Sequence, residues 1–126
     1  MRCRGITLLE LIITVAIIAI LASIAYPSFQ AHMLKSRRAE ALEHLLSAQL
    51  KQEEQRVTSG SYTTDFSKLG GASIDHYTFA STVSGASYTL TATAKSGSPQ
   101  ANDSGCTSLS ITNNELNNKL PADCWK

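Results

Sequence analysis

The chain has 126 residues, enough for one domain with a modest hydrophobic core and too few for two. Its 11 lysine and arginine residues nearly balance its 10 aspartate and glutamate residues, which argues against a protein that holds nucleic acid through a general basic field. Apolar residues are concentrated near the N-terminus, and the remainder is rich in Ser, Thr, Asn and Ala. A polar surface with little charge is expected of a domain that packs against copies of itself.

An almost uninterrupted apolar segment occupies residues 6–26. As a helix it would be about 32 Å long, enough to span the hydrocarbon core of a membrane. Arg2 and Arg4 precede it and place the N-terminus in the cytoplasm, whereas the basic cluster at residues 35–38 favours the opposite orientation. The segment predicts a membrane-spanning helix. The inferred export of two cysteines near the C-terminus, Cys106 and Cys124, favours the orientation with the N-terminus in the cytoplasm.

A removable signal peptide is the alternative interpretation of this segment, with Ser23-Ile24-Ala25 as the cleavage site. The apolar region is longer than the usual ~7–15 residues, and Glu10 lies near its beginning. A carboxylate within a membrane span costs about 2.5–3.5 kcal/mol at the helix centre, so it is normally retained for a function or a partner. A carboxylate that only reaches back to the lipid headgroups is the simpler explanation of Glu10.

The start of the chain resembles the processing site of type IV prepilins, with Arg-Cys-Arg-Gly at residues 2–5 and Ile-Thr-Leu-Leu-Glu at residues 6–10. The resemblance implies that prepilin peptidase cuts after Gly5 and removes Cys3 with the leader. Ile6, where the family usually has Phe, then becomes the N-methylated terminus. Glu10 is the fifth mature residue, which the family pairs with the terminal amine of a neighbouring subunit during assembly.

Pro27 follows the apolar segment and should bend or loosen the helix, and the resemblance implies an assembly role for it. Beyond it, residues 28–57 contain no Gly or Pro. Their leucines and one valine recur at helical spacing and predict a core-facing stripe: Leu42, Leu45, Leu46, Leu50 and Val57. Gly60 is suited to the left-handed cap that ends a helix.

Alternating apolar and polar residues after the helix predict three or four antiparallel strands, with a turn at Ser84-Gly85. Cys106 and Cys124 are expected to form a disulfide, because an even pair in a small exported domain is typically oxidised. Reduced buried thiols are the alternative. The predicted fold is α+β: a long N-terminal helix, transmembrane in its first half and amphipathic in its second, packs on a β-meander closed by a C-terminal disulfide loop.

The sequence contains no catalytic constellation and no metal-ligand spacing, so neither an enzyme nor a cofactor is expected. The resemblance divides the chain into a leader (1–5), a transmembrane and assembly helix (6–27) and a periplasmic or extracellular globular domain (28–126). It implies a type IV pilus subunit and favours a minor pilin, because the tail ends in Cys-Trp. Such a subunit serves pilus assembly, adhesion, twitching motility or DNA uptake.

The expected partners are other pilin subunits, in a homo- or hetero-filament, prepilin peptidase and the pilus assembly machinery. The expected location is the bacterial inner membrane and then the cell-surface pilus, or fimbrium. The two alternatives are a DNA-receptor pilin for natural transformation and a pseudopilin of type II secretion. DNA binding is expected to be weak, because three C-terminal lysines are opposed by three nearby acids: Lys95, Lys119 and Lys126 against Asp103, Glu115 and Asp123.

Overall fold

The computed structural model describes residues 5–114 and 118–126. Within these residues it has the predicted α+β architecture, with one long helix followed by a four-stranded sheet. The elements are helix α1 (Leu8–Ser59) and strands β1 (Tyr77–Ser84), β2 (Ser87–Ala94), β3 (Ser108–Thr112) and β4 (Lys119–Leu120). Short 3₁₀ helices lie in the connecting segments at Phe66–Leu69, Pro99–Asn102 and Ala122–Trp125.

The chain divides into two compact units, the first ending at Met33. In the first unit, each large hydrophobic side chain between Ile6 and Phe29 is at least half exposed. Helix α1 is long and apolar enough to cross a membrane, by length and composition. The helix continues through Pro27, although a proline cannot donate a hydrogen bond to the carbonyl four residues earlier. The bend predicted there remains a prediction.

The second unit, Leu34–Lys126, contains the hydrophobic core. Helix α1 contributes four buried residues spaced at about one helical turn: Ala41, Leu45, Ala48 and Gln52. The predicted leucine stripe is therefore wrong for most of its members. Leu45 is fully buried and Leu42 is partly buried, but Leu46, Leu50 and Val57 are 40%, 74% and 86% exposed.

The error has a physical cause. The buried face of the helix carries two small residues, Ala41 and Ala48, and the buried tyrosines of the sheet, Tyr77 and Tyr88, supply the volume in this core that leucines were expected to fill. Hydrophobicity alone marks the leucines as core residues, but the space available to each position is set by the partner surface.

The sheet is an antiparallel meander in the order β1-β2-β3-β4. The predicted alternation is confirmed, since one face of the strands is buried: Tyr77, Phe79, Ser81, Tyr88, Leu90, Ala92, Leu109 and Ile111. The predicted turn joins β1 and β2 through Gly85 and Ala86, between the paired residues Ser84 and Ser87. Gly85 has φ 59°, as expected at the first central position of a type II′ hairpin.

The predicted disulfide is confirmed, because Cys106 and Cys124 are bonded with a Cα–Cα distance of 5.7 Å. The bridge joins the segment before β3 to the last short helix, and the amide of Cys106 donates to the carbonyl of Asp103. The C-terminal tail is thereby fixed to the loop that enters β3.

Candidate assembly and binding sites

The start of helix α1 is capped by a side chain. The backbone N–H of Glu10 donates to Thr7 Oγ1 over 3.2 Å, while the carbonyl of Thr7 accepts the first helical hydrogen bond, from Leu11. Thr7 is therefore an N-cap residue, and Glu10 occupies the third helical position, as in the Ser/Thr-x-x-Glu capping box.

Glu10 is exposed and lies in the first turn of the helix. In the described part of the chain, its carboxylate makes no hydrogen bond or ion pair. Gly5, Ile6, Thr7 and Glu10 line one open concavity at this end of the helix. Gly5, Ile6 and Glu10, three of the positions that the sequence associates with processing and assembly, thus line one concavity, and the carboxylate is available to a partner.

A buried amide fixes the loop that follows helix α1. Gln52 is completely buried, and its Nε2 donates to the carbonyl of Thr63 and to Ser81 Oγ over 2.6 and 2.9 Å. Its Oε1 accepts from the backbone N–H of Thr63 over 3.0 Å. One side chain thus joins the helix, the loop and strand β1, with the polar atoms of its amide satisfied.

An aromatic cluster continues this junction. The rings of Tyr62 and Tyr88 pack edge to face at 4.6 Å, and both hydroxyls donate to the carboxylate of Glu53. Burial of the Tyr88 side chain, together with the negative charge of Glu53, raises the pKa of Tyr88 to about 12. The Arg56 guanidinium lies 5.1 Å from the Tyr62 ring centre and donates to its hydroxyl, so the loop is held against the end of the helix.

A paired charge fixes the loop before the disulfide. Arg38 on helix α1 donates through two nitrogens to both carboxylate oxygens of Asp103, over 2.7 and 3.0 Å. Both side chains are largely buried, with 16% and 8% exposed. A bidentate arginine–carboxylate pair of this kind fixes geometry as well as charge.

The lysines of the C-terminal region have different partners. Lys126 pairs with Asp123 over 2.7 Å in an exposed contact, and Lys119 Nζ lies 5.2 Å from the centre of the Trp125 ring. In residues 5–114 and 118–126, the side chain of Lys95 makes no ion pair. From the sequence, Asp103 was expected to offset the charge of these lysines, but in the structure it forms an ion pair with Arg38. Glu115 lies outside the described residues.

Within the described residues, no group of three or more His, Cys, Asp and Glu side chains is arranged to hold a metal ion. The concavities along the globular unit are open to solvent, and they are lined by residues of helix α1, the tail and the β1–β2 turn.

An apolar, capped helix with a free early carboxylate, joined to a disulfide-closed α+β unit, defines a membrane-anchored filament subunit of the pilin class. Comparison with known families is in agreement: residues 1–26 match the prokaryotic N-terminal methylation motif. Residues 27–110 match the family described as "Type IV minor pilin ComP, DNA uptake sequence receptor". This second match covers two thirds of the chain, which therefore belongs to that family and is a type IV minor pilin.

The predicted type IV pilin family and minor-pilin function are thus confirmed. The family is structural in character, and its description also agrees with the DNA-receptor alternative. Three contributors were missed from the sequence: the cap at Thr7, the pair formed by Arg38, and the buried amide of Gln52. Only the first had a readable local signal, because Thr-x-x-Glu is a capping-box pattern.

Proposed function

We propose that this minor pilin is anchored in the inner membrane by residues 6–27, enters the pilus through that helix, and displays its globular domain, residues 28–126, as a DNA receptor. The observation that carries the proposal is the pair of family matches, which join a methylation motif to a DNA-uptake pilin domain along one chain. The exposed apolar helix and the disulfide-closed domain support it.

The first step is removal of the leader, residues 1–5, by prepilin peptidase between Gly5 and Ile6, followed by methylation of Ile6. Support comes from the methylation-motif match and from the exposure of Gly5 and Ile6 ahead of the helix. Intact-mass analysis of protein from its native host is expected to show loss of the first five residues and gain of one methyl group. A mature chain beginning at Tyr26 would instead support an ordinary signal peptide.

The second step is assembly, in which Glu10 pairs with the terminal amine of a neighbouring subunit. The carboxylate lies about one turn into the helix, where it also complements the positive end of the helix dipole. Breaking one side of a buried pair costs about 3–5 kcal/mol. Glu10→Ala is therefore expected to remove the subunit from sheared pili while the mature chain remains in membranes, and Glu10→Asp is expected to be intermediate. Equal incorporation of Glu10→Ala and wild type would refute the pairing.

The third step is DNA recognition at the pilus surface. The near-balanced charge of the chain limits attraction to phosphate, so sequence-independent binding is expected to be weak. Contacts to base edges would then supply most of the preference for a particular sequence. Because Asp103 pairs with Arg38, it does not neutralise the charge of Lys95. Lys119 lies over the ring of Trp125. These arrangements support Lys95 and Lys119 as phosphate contacts.

The test is selection of duplex DNA from a random pool on the purified mature chain in detergent. A short sequence common to the enriched duplexes is expected, with at least tenfold preference over its scrambled version. Each phosphate contact changes the salt slope by about 0.9, so Lys95→Ala should make the slope shallower by about that amount. Lys126→Ala is the matched control, because Lys126 is already paired with Asp123. A pool that shows no enrichment would refute sequence recognition by this subunit.

A further inference from the structure

We infer that Thr7 is a positioning residue for Glu10: by capping the amide of Glu10, it starts the helix so that the Glu10 carboxylate is left free for another subunit. The inference rests on the proposed assembly role of Glu10. Thr7 is thus a second polar residue in the apolar segment, and its function is to hold Glu10 in position for assembly.

The backbone of Glu10 shows why a cap is needed at this position. The first amides of any helix have no carbonyl partner within the helix, and an unsatisfied amide is most costly where water is scarce, as at the start of a membrane span. Here the amide of Glu10 finds its acceptor in Thr7 Oγ1 at 3.2 Å. The backbone of Glu10 is therefore satisfied without its own side chain.

The side chain of Glu10 shows what the cap leaves available. In a complete capping box, the glutamate carboxylate reaches back to the amide of the capping residue. In the described residues only the threonine half of the box is formed, and the Glu10 carboxylate makes no hydrogen bond or ion pair. The arrangement separates two tasks, since Thr7 satisfies the helix start and Glu10 keeps its charge for a partner.

The cap also fixes the position of the Glu10 carboxylate on the helix. Helix α1 begins at Leu8, and the carbonyl of Thr7 accepts from Leu11, so Glu10 is held in the first turn. Loss of the cap would leave the first turn, which contains Glu10, free to fray, and the carboxylate would no longer be held at one angle around the helix axis. A pairing partner on one side of the helix would then be out of reach.

The central comparison is Thr7→Val, which keeps the branched shape and removes the acceptor, against Thr7→Ser, which restores the acceptor. Loss of an N-cap corresponds to a change of roughly 2- to 30-fold in the helix-start equilibrium. Incorporation of Thr7→Val into sheared pili, normalised to mature chain in membranes, is expected to fall within that range, with Thr7→Ser close to wild type. The matched control is Ser23→Ala, because the Ser23 hydroxyl donates to the carbonyl of Ile20 inside the helix and does not contact Glu10.

The double variant Thr7→Val/Glu10→Ala tests whether Thr7 acts through Glu10. It is expected to be no worse than Glu10→Ala alone, because the cap has nothing left to position. Hydrogen exchange at the Glu10 amide, measured on the purified full chain in detergent whether or not the leader is cleaved, should be faster in Thr7→Val than in wild type or Thr7→Ser.

The outcomes separate this inference from the proposed function. Normal incorporation of Thr7→Val, failure of Thr7→Ser to restore it, an additive double variant, or unchanged exchange at the Glu10 amide would each overturn the role of Thr7. Normal incorporation of Glu10→Ala would overturn the pairing mechanism itself, whatever Thr7 does.

Discussion

Arg38 on the long helix and Asp103 in the loop before the disulfide form a two-pronged ion pair, with nitrogen–oxygen distances of 2.7 and 3.0 Å. The two residues are 65 positions apart in the sequence, so the contact connects elements that the chain order does not. The backbone carbonyl of Asp103 accepts a hydrogen bond from the amide of Cys106, so the pair also fixes the approach to the disulfide.

Replacing Asp103 by Asn should destabilise the globular unit strongly, because Arg38 would remain largely buried without its counter-charge. Removal of one partner of a buried pair typically costs about 3–5 kcal/mol. Urea unfolding of the purified chain in mild detergent measures the change. Lys126→Ala is the control, since it breaks an exposed, solvent-screened pair and should leave the free energy of unfolding nearly unchanged. Equal effects of the two changes would contradict the distinction.

Removing the disulfide with Cys106→Ser and Cys124→Ser should cost about 2–5 kcal/mol, the usual range for small exported domains. The C-terminal tail should also become sensitive to protease, because its connection to the loop before β3 is lost. Counting free thiols on purified mature protein checks the bridge itself. Two reactive thiols in the native chain under non-reducing conditions would show that the cysteines are not paired.

Gln52→Ala should destabilise the loop after the helix by about 1–3 kcal/mol, because the part-buried N–H of Thr63 loses its acceptor and an unsatisfied group of this kind costs about that much. The carbonyl of Thr63 keeps the hydrogen bond that the Ser81 hydroxyl donates. The matched control is Gln55→Ala, on the next turn of the helix, whose amide bonds only to the exposed Ser59. The comparison is made by urea unfolding. A loss for Gln52→Ala no greater than that for Gln55→Ala would show that the buried amide is dispensable.

Leu45→Ala and Leu50→Ala test which face of the helix is the core. Leu45 is fully buried, so its truncation should cost about 2–5 kcal/mol. Leu50 is 74% exposed, so its truncation should change the free energy of unfolding by less than about 0.5 kcal/mol. Similar losses for both variants in the detergent-solubilised monomer would restore the leucine stripe predicted from the sequence.

The raised pKa of Tyr88 predicts a loss of stability at alkaline pH. Its value is about 12 in the folded chain against 10.0 for an ordinary tyrosine. Below pH 10 the phenol is protonated in both states, and above it the unfolded chain releases its proton first, so stability falls as the pH rises from about 10 to 12. Tyr88→Phe should flatten this part of the pH profile measured by urea unfolding. A decline as steep in Tyr88→Phe as in wild type would assign the effect to other groups.

The sequence by itself determined the features that depend on local order along the chain. The apolar run with its early carboxylate, the alternation in the strands and the Ser84-Gly85 turn each depend on neighbours a few residues away. The pairing of Cys106 and Cys124 was predicted because they form an even pair in a small exported domain, with Cys3 expected to leave with the leader. These signals were sufficient to predict the family and the order of elements.

Only the tertiary structure decided which helix face is buried and which charges remain free. Leu46, Leu50 and Val57 satisfy the helical period as well as Leu45 does, but they are exposed. The buried face of the helix consists of Leu45 with two alanines and one glutamine. In the sequence, Asp103 lies in the same C-terminal region as the lysines, but in the folded chain it forms an ion pair with Arg38. In both cases the result depends on partners distant in sequence, because packing and ion pairing are set by surfaces that exist only after the helix and the sheet have come together.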